Sequence, residues 1–548
     1  MVTSRTVLCF GLGSCLLAAA SRGQAPPLSC TANAALPRLV RDLGVAELAG
    51  DVVISCTGGT PTPAGVNVPQ VNIDVLAETS GGAPLNVTSR VLASSLTWTE
   101  AMLFVDEPAP SGMRLCGSAN APEANPGNAL PVPRGVCARV EGTGTGVGTY
   151  DIATPTTPDT DFYRVNAFQG RRFAVSPGVF PVRFPGVPFD PPGNGTRTLR
   201  ITNVRINASQ LGVPSGMQAA VRLAVSTNGT DLANPITLPL SNASPTAAVA
   251  QRLLELEVLD ARTFLQTLDV NPGWVVGSFP APNLAMTLRF AEVITDSLLQ
   301  RNAAPSSSDT PIAQDVLGTS YLTEGGFFRD VPDADDWPEE LTAASQASGF
   351  ARGRVSGTAD GTLGLASHGA RLIARFTSVP AGVRLFVENA PALEPSGGGA
   401  PSGGLQLVLA DANCAGPFAA APANVQGFSE VALSGGAGTA CWEVLTSETF
   451  LLEQAPIRVV AAYEHDLAGG LPALGTAGVA GGFAPLSTSS VGGDATVPIP
   501  RFVDVGVPAE LFVVVSSASQ IPAASPGALL TLALLLGAAA WRSLRRTS

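Results

Sequence analysis

Acidic side chains form the densest group of ligating atoms in this chain. Carboxylate oxygens are the hard ligands that Ca²⁺ prefers, and they crowd into one stretch: Asp330, Asp333, Asp335, Asp336, Glu339 and Glu340. The stretch lacks the spacing and the glycine of an EF-hand loop, and its prolines favour a turn in contact with solvent. We therefore expect a solvated turn rather than a calcium site, with no resident metal or cofactor.

Residue types exclude several catalytic classes. Every one of the 31 basic residues is arginine, so the chain has neither a P-loop lysine nor a Schiff-base lysine. His368 and His465 are too few for a histidine-rich zinc cluster, and no Gly-x-Ser-x-Gly elbow occurs. These features favour a protein without catalytic activity. A glycoside hydrolase stays open as the alternative, since it needs only two carboxylates, with tryptophans as sugar platforms: Trp98, Trp274, Trp337 and Trp442.

Cysteines indicate an oxidising compartment. Six remain once an N-terminal export segment is set aside, and no Cys-x-x-Cys pair is present for zinc or redox chemistry. Pairing neighbours along the chain is the economical choice among several connectivities, and it gives three disulfides: Cys30–Cys56, Cys116–Cys137 and Cys414–Cys441.

Charge argues against nucleic acid as a partner. The whole chain carries a net charge of −12, and the basic residues at its two ends belong to predicted targeting segments, so the body between them is more acidic still. A phosphate backbone would repel such a body.

Both ends of the chain have the composition of targeting segments. Arg5 precedes an apolar run over 7–20 and a small-residue stretch, which predicts a signal peptide over 1–25, cut by signal peptidase. At the other end, residues 521–541 carry no charge and would span about 30 Å as a helix, the thickness of a bilayer core. Arginines follow this segment and predict a cytoplasmic C-terminus with the body outside: Arg542, Arg545 and Arg546.

The opening of the tail resembles a known group of sorting signals. Ile521, Pro522 and Ser525 match the Ile-Pro-Thr-Leu-Ser opening of a relative of the PEP-CTERM signals of Gram-negative bacteria, with alanine at the two positions between. The resemblance implies export, membrane retention and an exosortase-type processing partner. It leaves open whether the tail is cut or remains a plain anchor. The body resembles uncharacterised exported bacterial β-rich proteins over 186–193, 197–207 and 499–504.

Between the ends, the hydrophobic pattern alternates with period two. Apolar residues recur at every second position over 71–77 and 219–225, and glycine and proline punctuate the chain throughout. Further strands are predicted over 372–376, 383–387, 405–409 and 457–463, with a β-hairpin turn at 379–382. Residues 246–268 fit either a helix or strands, and we favour strands. The fold expected is all-β, with two or three Ig-like β-sandwich units.

Composition also suggests the domain boundaries. We predict an N-terminal β-rich region over 26–301, one sandwich or two with a split near 150–160, and a polar linker over 302–317. A C-terminal sandwich over 318–515 follows, and 516–548 holds the spacer, the membrane helix and the arginines.

Together these features favour an exported, membrane-tethered surface protein that serves as a structural or interaction module. Its partners would be the membrane and surface glycans or other surface proteins. The alternative is an extracellular protein that binds or cleaves carbohydrate and associates with exopolysaccharide.

Overall fold

The computed structural model describes residues 26–89, 98–106, 141–150, 166–172, 180–259, 284–298, 369–485 and 510–514, with short gaps at 35, 147–148, 215, 296, 413, 416–417, 424–426, 449–450 and 464–474. This part of the chain is all-β apart from a short 3-10 helix over Ala208–Leu211, as predicted. Within it, no helix has the length and apolarity needed to cross a membrane. The residues predicted to form the signal peptide and the sorting tail, the acidic cluster and both histidines lie outside the described residues.

The first unit is a 12-stranded sheet with a small two-stranded sheet beside it. In chain order, the strands are β1 (Ser29–Ala34), β2 (Arg38–Arg41), β3 (Glu47–Leu48), β4 (Val52–Gly58), β5 (Gln70–Thr79), β6 (Pro84–Leu85), β7 (Trp98–Val105), β8 (Ala167–Arg172), β9 (Val182–Pro188), β10 (Gly193–Thr202), β11 (Arg205–Ile206), β12 (Gln218–Asn228), β13 (Leu240–Ser241) and β14 (Thr246–Gln251). The large sheet runs β13-β1-β4-β10-β7-β8-β9-β5-β12-β14-β2, with β6 beside β5, and β3 pairs with β11.

Period-two burial builds the core of this unit. Val71, Ile73 and Val75 on β5 are all fully buried, because alternate side chains of a strand point to the same face. They share one hydrophobic cluster with side chains of β1, β4, β7, β10 and β12. Strands from both halves of the sheet therefore enclose a common core.

Two parallel pairs mark the place where the sheet ends meet. β1 pairs in parallel with β13, and β2 pairs in parallel with β14, whereas neighbouring strands elsewhere in this sheet run antiparallel. β13 and β1 lie at one end of the strand order, and β14 and β2 lie at the other. The chain therefore passes from one end to the other twice, between β1 and β2 and between β13 and β14. We call the two connections, residues 36–37 and 242–245, the crossover.

The second unit is an 11-stranded sheet with its own core. Its strands are β15 (Leu254–Leu259), β16 (Leu284–Glu292), β17 (Arg371–Thr377), β18 (Val383–Glu388), β19 (Ala392–Pro395), β20 (Gly403–Leu407), β21 (Phe428–Val431), β22 (Gly438–Thr446), β23 (Glu453–Tyr463), β24 (Gly475–Phe483) and β25 (Glu510–Val514). The order is β15-β16-β23-β19-β20-β22-β17-β24-β25, and β18 joins β21 to β23.

Two strands of the second sheet come from residues that precede the expected linker. β15 and β16 precede the expected linker over 302–317, yet β15 pairs with β16 and β16 pairs with β23, so both strands belong to the second sheet. The change from one sheet to the other falls at 252–253. Strands, as favoured, occupy 246–251 and 254–259 of the segment that also fitted a helix.

The predicted hairpin at 379–382 is wrong. β17 pairs with β22 and β24, whereas β18 pairs with β21 and β23, and the two strands do not pair with each other. Both send apolar side chains into the same core. The turn therefore carries the chain across the core: Ser378 has a φ of 54°, and the Val379 N–H donates to the Gly436 carbonyl over 2.9 Å.

Candidate functional site

Two of the three predicted disulfides are formed in the structure. Cys30 on β1 and Cys56 on β4 lie directly opposite each other and are bonded, and Cys414 is bonded to Cys441 on β22. Each unit therefore has a covalent cross-link among its described residues. Cys116 and Cys137 lie outside the described residues.

Arginines are buried inside both units as partners of carboxylates. Three buried pairs join Arg41 to Glu47 at 3.0 Å, Arg200 to Asp51 at 2.7 Å and Arg371 to Glu443 at 2.7 Å. All six side chains are almost completely buried. Buried charges require such partners, so these residues hold the fold together and do not face a ligand. Sequence reasoning missed them: Arg200 and Arg371 pair with carboxylates 149 and 72 residues away, which leaves no local pattern, and Arg41 and Glu47 are six residues apart but on different strands.

A buried polar network fastens the glycine-rich segment over 142–146. Asp190 accepts from the Thr62 N–H at 2.7 Å and from the Thr149 hydroxyl at 2.6 Å. The Tyr150 hydroxyl donates to the Pro188 carbonyl, and burial raises the pKa of this phenol to about 12. A Cβ on Gly142 would approach the Thr62 carbonyl to 2.5 Å. The segment thus needs glycine for close backbone approach.

Two glutamates of the second unit come together without forming a cleft. Glu292 accepts from the backbone N–H groups of Ser297, Leu298 and Glu453 over 2.7–2.9 Å. Desolvation by burial raises the pKa of Glu292 to about 7, and burial also raises the pKa of Glu453. Both side chains are buried, so this pair does not offer the exposed acid and base that a glycoside hydrolase requires.

Trp442, one of the four tryptophans considered as sugar platforms, is inside the protein. Trp442 is fully buried, and its Nε1–H donates to the Glu388 carbonyl over 2.8 Å. Its ring packs in the second core and presents no face to a sugar. Trp98 lies in β7, and Trp274 and Trp337 lie outside the described residues.

A polar pocket of about 670 Å³ opens at the crossover. The end of β1, both connections, the start of β14 and one residue of β12 line it: Asn33, Ala34, Pro37, Arg222, Asn242, Ala243, Ser244, Pro245 and Thr246. We call it the crossover pocket. Its volume is typical of small-molecule sites. The pocket lies where the chain leaves β1 and β13 at one end of the strand order and enters β2 and β14 at the other. Side-chain amides, hydroxyls and one guanidinium supply its polar groups.

Hydrogen bonds across the crossover fix one wall of this pocket. The Asn242 side-chain amide donates to the Ala32 carbonyl over 2.8 Å, which holds Asn242 in the left-handed region at a φ of 49°. The neighbouring Ser241 hydroxyl donates to the Cys30 carbonyl over 3.1 Å and lies 2.8 Å from the Thr31 hydroxyl. The wall is therefore fastened to the disulfide-linked strand β1.

Arg222 is the only charged residue that lines this pocket. It is half-buried on β12, where its register partners are Glu78 on β5 and Thr246 on β14. Glu78 accepts a hydrogen bond from the Ser244 hydroxyl. Across the residues for which the structure gives positions, the Arg222 guanidinium forms neither a hydrogen bond nor an ion pair. It differs in this from the buried arginines described above.

A second pocket, of about 600 Å³, lies at the turns of the second unit and is lined by residues 379–384, 430–433 and 435–436. We call it the turn pocket. Its arginine is already paired, because Arg384 donates twice to Glu430, at 2.7 and 2.5 Å. The same guanidinium lies 5.2 Å from the centre of the Phe386 ring. This pocket therefore offers a neutralised pair, whereas the crossover pocket offers a single cation.

Comparisons with known proteins include a few weak structural matches. Neither a protein-family model nor a curated protein matches the chain. Among solved structures, it is similar to the "Biofilm associated protein - B domain", at 6% identity and a TM-score of 0.16, over 88% of this chain and 85% of that one. It is also similar to "Enterococcal surface protein, partial N-terminal region" (9% identity, TM-score 0.15, 89% and 94% covered) and to the "CupB6 tip adhesin from Pseudomonas aeruginosa" (10%, 0.15, 85% and 96%). TM-scores this low carry no argument about function.

Proposed function

We propose that the chain is an exported, membrane-tethered cell-surface protein that serves as a structural or interaction module without catalytic activity. The observation that carries this proposal is the disulfide in each unit, Cys30–Cys56 and Cys414–Cys441. Disulfides persist in oxidising compartments outside the cytoplasm. The predicted signal peptide over 1–25 and the tail over 516–548 support the same location.

The buried arginine–carboxylate pairs also support a role as a scaffold that displays a binding surface. Arginine and carboxylate pairs lie inside both sheets, where they join strands rather than face solvent. In the proposed architecture the two sheets form two sandwich units, and loops and pockets at their edges contact partners. Function then depends on these edges and not on a catalytic centre.

Cell fractionation tests the location. The full chain and a variant that ends at residue 526 are expressed in a Gram-negative host. We expect the full chain in the membrane fraction and the shortened variant in the periplasm or medium, because the deletion removes the apolar segment and its arginines. Equal membrane association of the two proteins would refute the anchor.

A matched substitution separates cleavage from plain anchoring. Replacing Ile521 and Pro522 by alanine keeps the apolar segment but removes the resemblance to the sorting motif. If an exosortase-type enzyme cuts the tail, this variant accumulates at full length while the unchanged chain is shortened. Identical masses for the two mature proteins would show that the tail is a plain anchor.

A carbohydrate-binding protein is the second candidate, and the crossover pocket favours it. Amide and hydroxyl side chains line the pocket at Asn33, Asn242, Ser244 and Thr246. Such groups match the hydroxyls of a sugar, since each can donate or accept hydrogen bonds. Binding of saccharides by the purified protein tests this candidate, as specified below.

A further inference from the structure

We infer that the crossover pocket binds a single carboxylated sugar residue, such as a uronic acid, through the guanidinium of Arg222. The inference rests on the proposed binding function and names its ligand class. It follows from the charge of the pocket, from the polar groups around that charge, and from the net charge of the protein.

The lining of the pocket carries one positive charge, while Glu78, the register partner of Arg222 on β5, lies outside the lining and accepts from Ser244. Arg222 is the sole charged side chain in its lining, and it is the arginine for which the described residues supply no partner. A planar guanidinium binds a carboxylate through two parallel hydrogen bonds, which are shorter and stronger than neutral ones. A ligand carboxylate would give Arg222 the partner that Glu443 gives to Arg371 inside the second unit.

The polar groups around Arg222 fit a hydroxylated ligand. The Asn33 carbonyl oxygen accepts from Asn242 at 3.4 Å, which leaves the Asn33 amide hydrogens for a ligand. The Asn242 carbonyl oxygen has no hydrogen bond to any described residue and can accept from a hydroxyl. The apolar residues in the lining are small or proline, which suits a hydroxylated ligand better than a large apolar side chain of a peptide: Ala34, Pro37, Ala243 and Pro245.

The net negative charge of the protein favours a ligand with one acidic sugar over a long polyanion. The chain carries −12 overall, and the body without its terminal arginines is more acidic. This field opposes the approach of a polymer with many negative charges, whereas a single carboxylate meets the local charge of Arg222. We therefore expect short oligosaccharides with one uronic acid residue to bind better than polyuronate chains at low salt, and added salt to reduce this difference.

Rigidity of the pocket favours binding further. Asn242 is held by Ala32, and Ser244 is held by Glu78, so two of the polar groups occupy fixed positions before a ligand arrives. Groups that are already ordered lose little conformational entropy on binding.

Calorimetric titration of the purified full chain in detergent tests the inference. The probes are a glucuronate-containing disaccharide, its glucose analogue of equal size, and a short acidic peptide. We expect the glucuronate disaccharide to bind, and the glucose analogue to bind at least about tenfold more weakly. The peptide should not bind more tightly than the glucuronate disaccharide, because only this disaccharide matches both Arg222 and the amides. Equal binding of the two disaccharides, or tighter binding of the peptide, would overturn the inference.

Substitutions locate the site. We expect Arg222→Gln to weaken the disaccharide at least about tenfold, and Asn33→Ala at the exposed rim to weaken it less. The matched control is Arg384→Gln, which changes the arginine of the turn pocket and leaves the affinity unchanged. If Arg222→Gln misfolds, Asn33→Ala still reports on the pocket, and normal affinity in that variant would contradict the site. Since the assay uses purified protein, its outcome is independent of where the protein resides in the cell.

Discussion

Arg371 on β17 lies directly across from Glu443 on β22, and its guanidinium is paired with that carboxylate, whose side chain is only 1% exposed. The Arg371 Nε donates to Glu443 Oε2 over 2.8 Å, and the Gly369 N–H donates to Glu443 Oε1 over 3.1 Å. The carboxylate therefore has a partner at each oxygen. An acid and a base that are both buried are stable only together.

Removing the arginine of this pair should therefore be costly. Arg371→Met leaves Glu443 buried without its counter-charge, and we expect a loss of about 3–5 kcal/mol in the free energy of unfolding, measured by urea titration. Arg458→Met is the control, because Arg458 is exposed and its pair with Glu388 should contribute less than about 1 kcal/mol. Adding Glu443→Leu to Arg371→Met should restore most of the loss. Equal losses for the two single variants would contradict this account.

Stability should fall as the pH rises through the titration range of Glu292. The pKa of this buried carboxyl is raised from 4.5 to about 7, so the folded chain keeps a proton that the unfolded chain has released. Between about pH 4.5 and pH 7 the folded state binds more protons, and the free energy of unfolding decreases by up to roughly 3 kcal/mol. Glu453 contributes in the same direction, because burial also raises its pKa.

Glu292→Gln isolates this contribution. The variant keeps an acceptor for the backbone N–H groups but has no proton to release, so we expect a flatter dependence of stability on pH. Urea titrations at pH 5 and pH 7.5 give the slope for each protein. The same slope in both proteins would assign the pH dependence to other groups.

The disulfide between β1 and β4 should stabilise the first unit by restricting its unfolded chain. Its cysteines are separated by 26 residues, and for a loop of this size we expect Cys30→Ser with Cys56→Ser to cost about 3 kcal/mol. Thermal unfolding with and without reductant measures the effect, and reduced wild-type protein should approach the variant. Free thiols at Cys30 and Cys56 in the exported protein would contradict the bond, and peptide mapping without reductant detects them.

Glycine 146 should tolerate alanine much less well than a glycine in open space. Gly146 has a φ of 72°, and a Cβ there would lie 2.4 Å from the Pro191 carbonyl, whereas Gly65 has a φ of 74° with nothing within 4 Å. Gly65→Ala introduces backbone strain alone, about 1 kcal/mol, and Gly146→Ala adds a steric clash, for a total of at least about 2 kcal/mol. Urea titration compares the two variants. A Gly65→Ala variant as unstable as Gly146→Ala would show that the clash is relieved.

Local pattern predicts the strands well and their partners poorly. The alternation over 71–77 is enough to identify β5, because side-chain direction in a strand depends only on neighbouring residues. The hairpin at 379–382 was predicted wrongly for the same reason, since a short turn between two strands does not reveal whether they pair or face each other across a core.

The crossover pocket had no local signature either. Arg222 appears in the sequence as a polar position in an alternating strand, and Asn33 lies more than 200 residues from the Asn242 that it contacts. Only the parallel pairing of β1 with β13 brings these groups together. The pairs Cys30–Cys56 and Cys414–Cys441 were predictable because their partners are close in sequence.

The parallel pairs at the crossover also set an order of assembly. β1 and β2 are synthesised first, whereas their partners β13 and β14 end at Gln251. The edges of β1 and β2 that pair with them therefore stay unpaired until more than 200 further residues have been made. Contacts between such distant segments slow folding, because the intervening loop must close before they form. The nearby pairing of β1 with β4 can form early, and the bond between Cys30 and Cys56 would keep that nucleus in place until the last strands of the unit arrive.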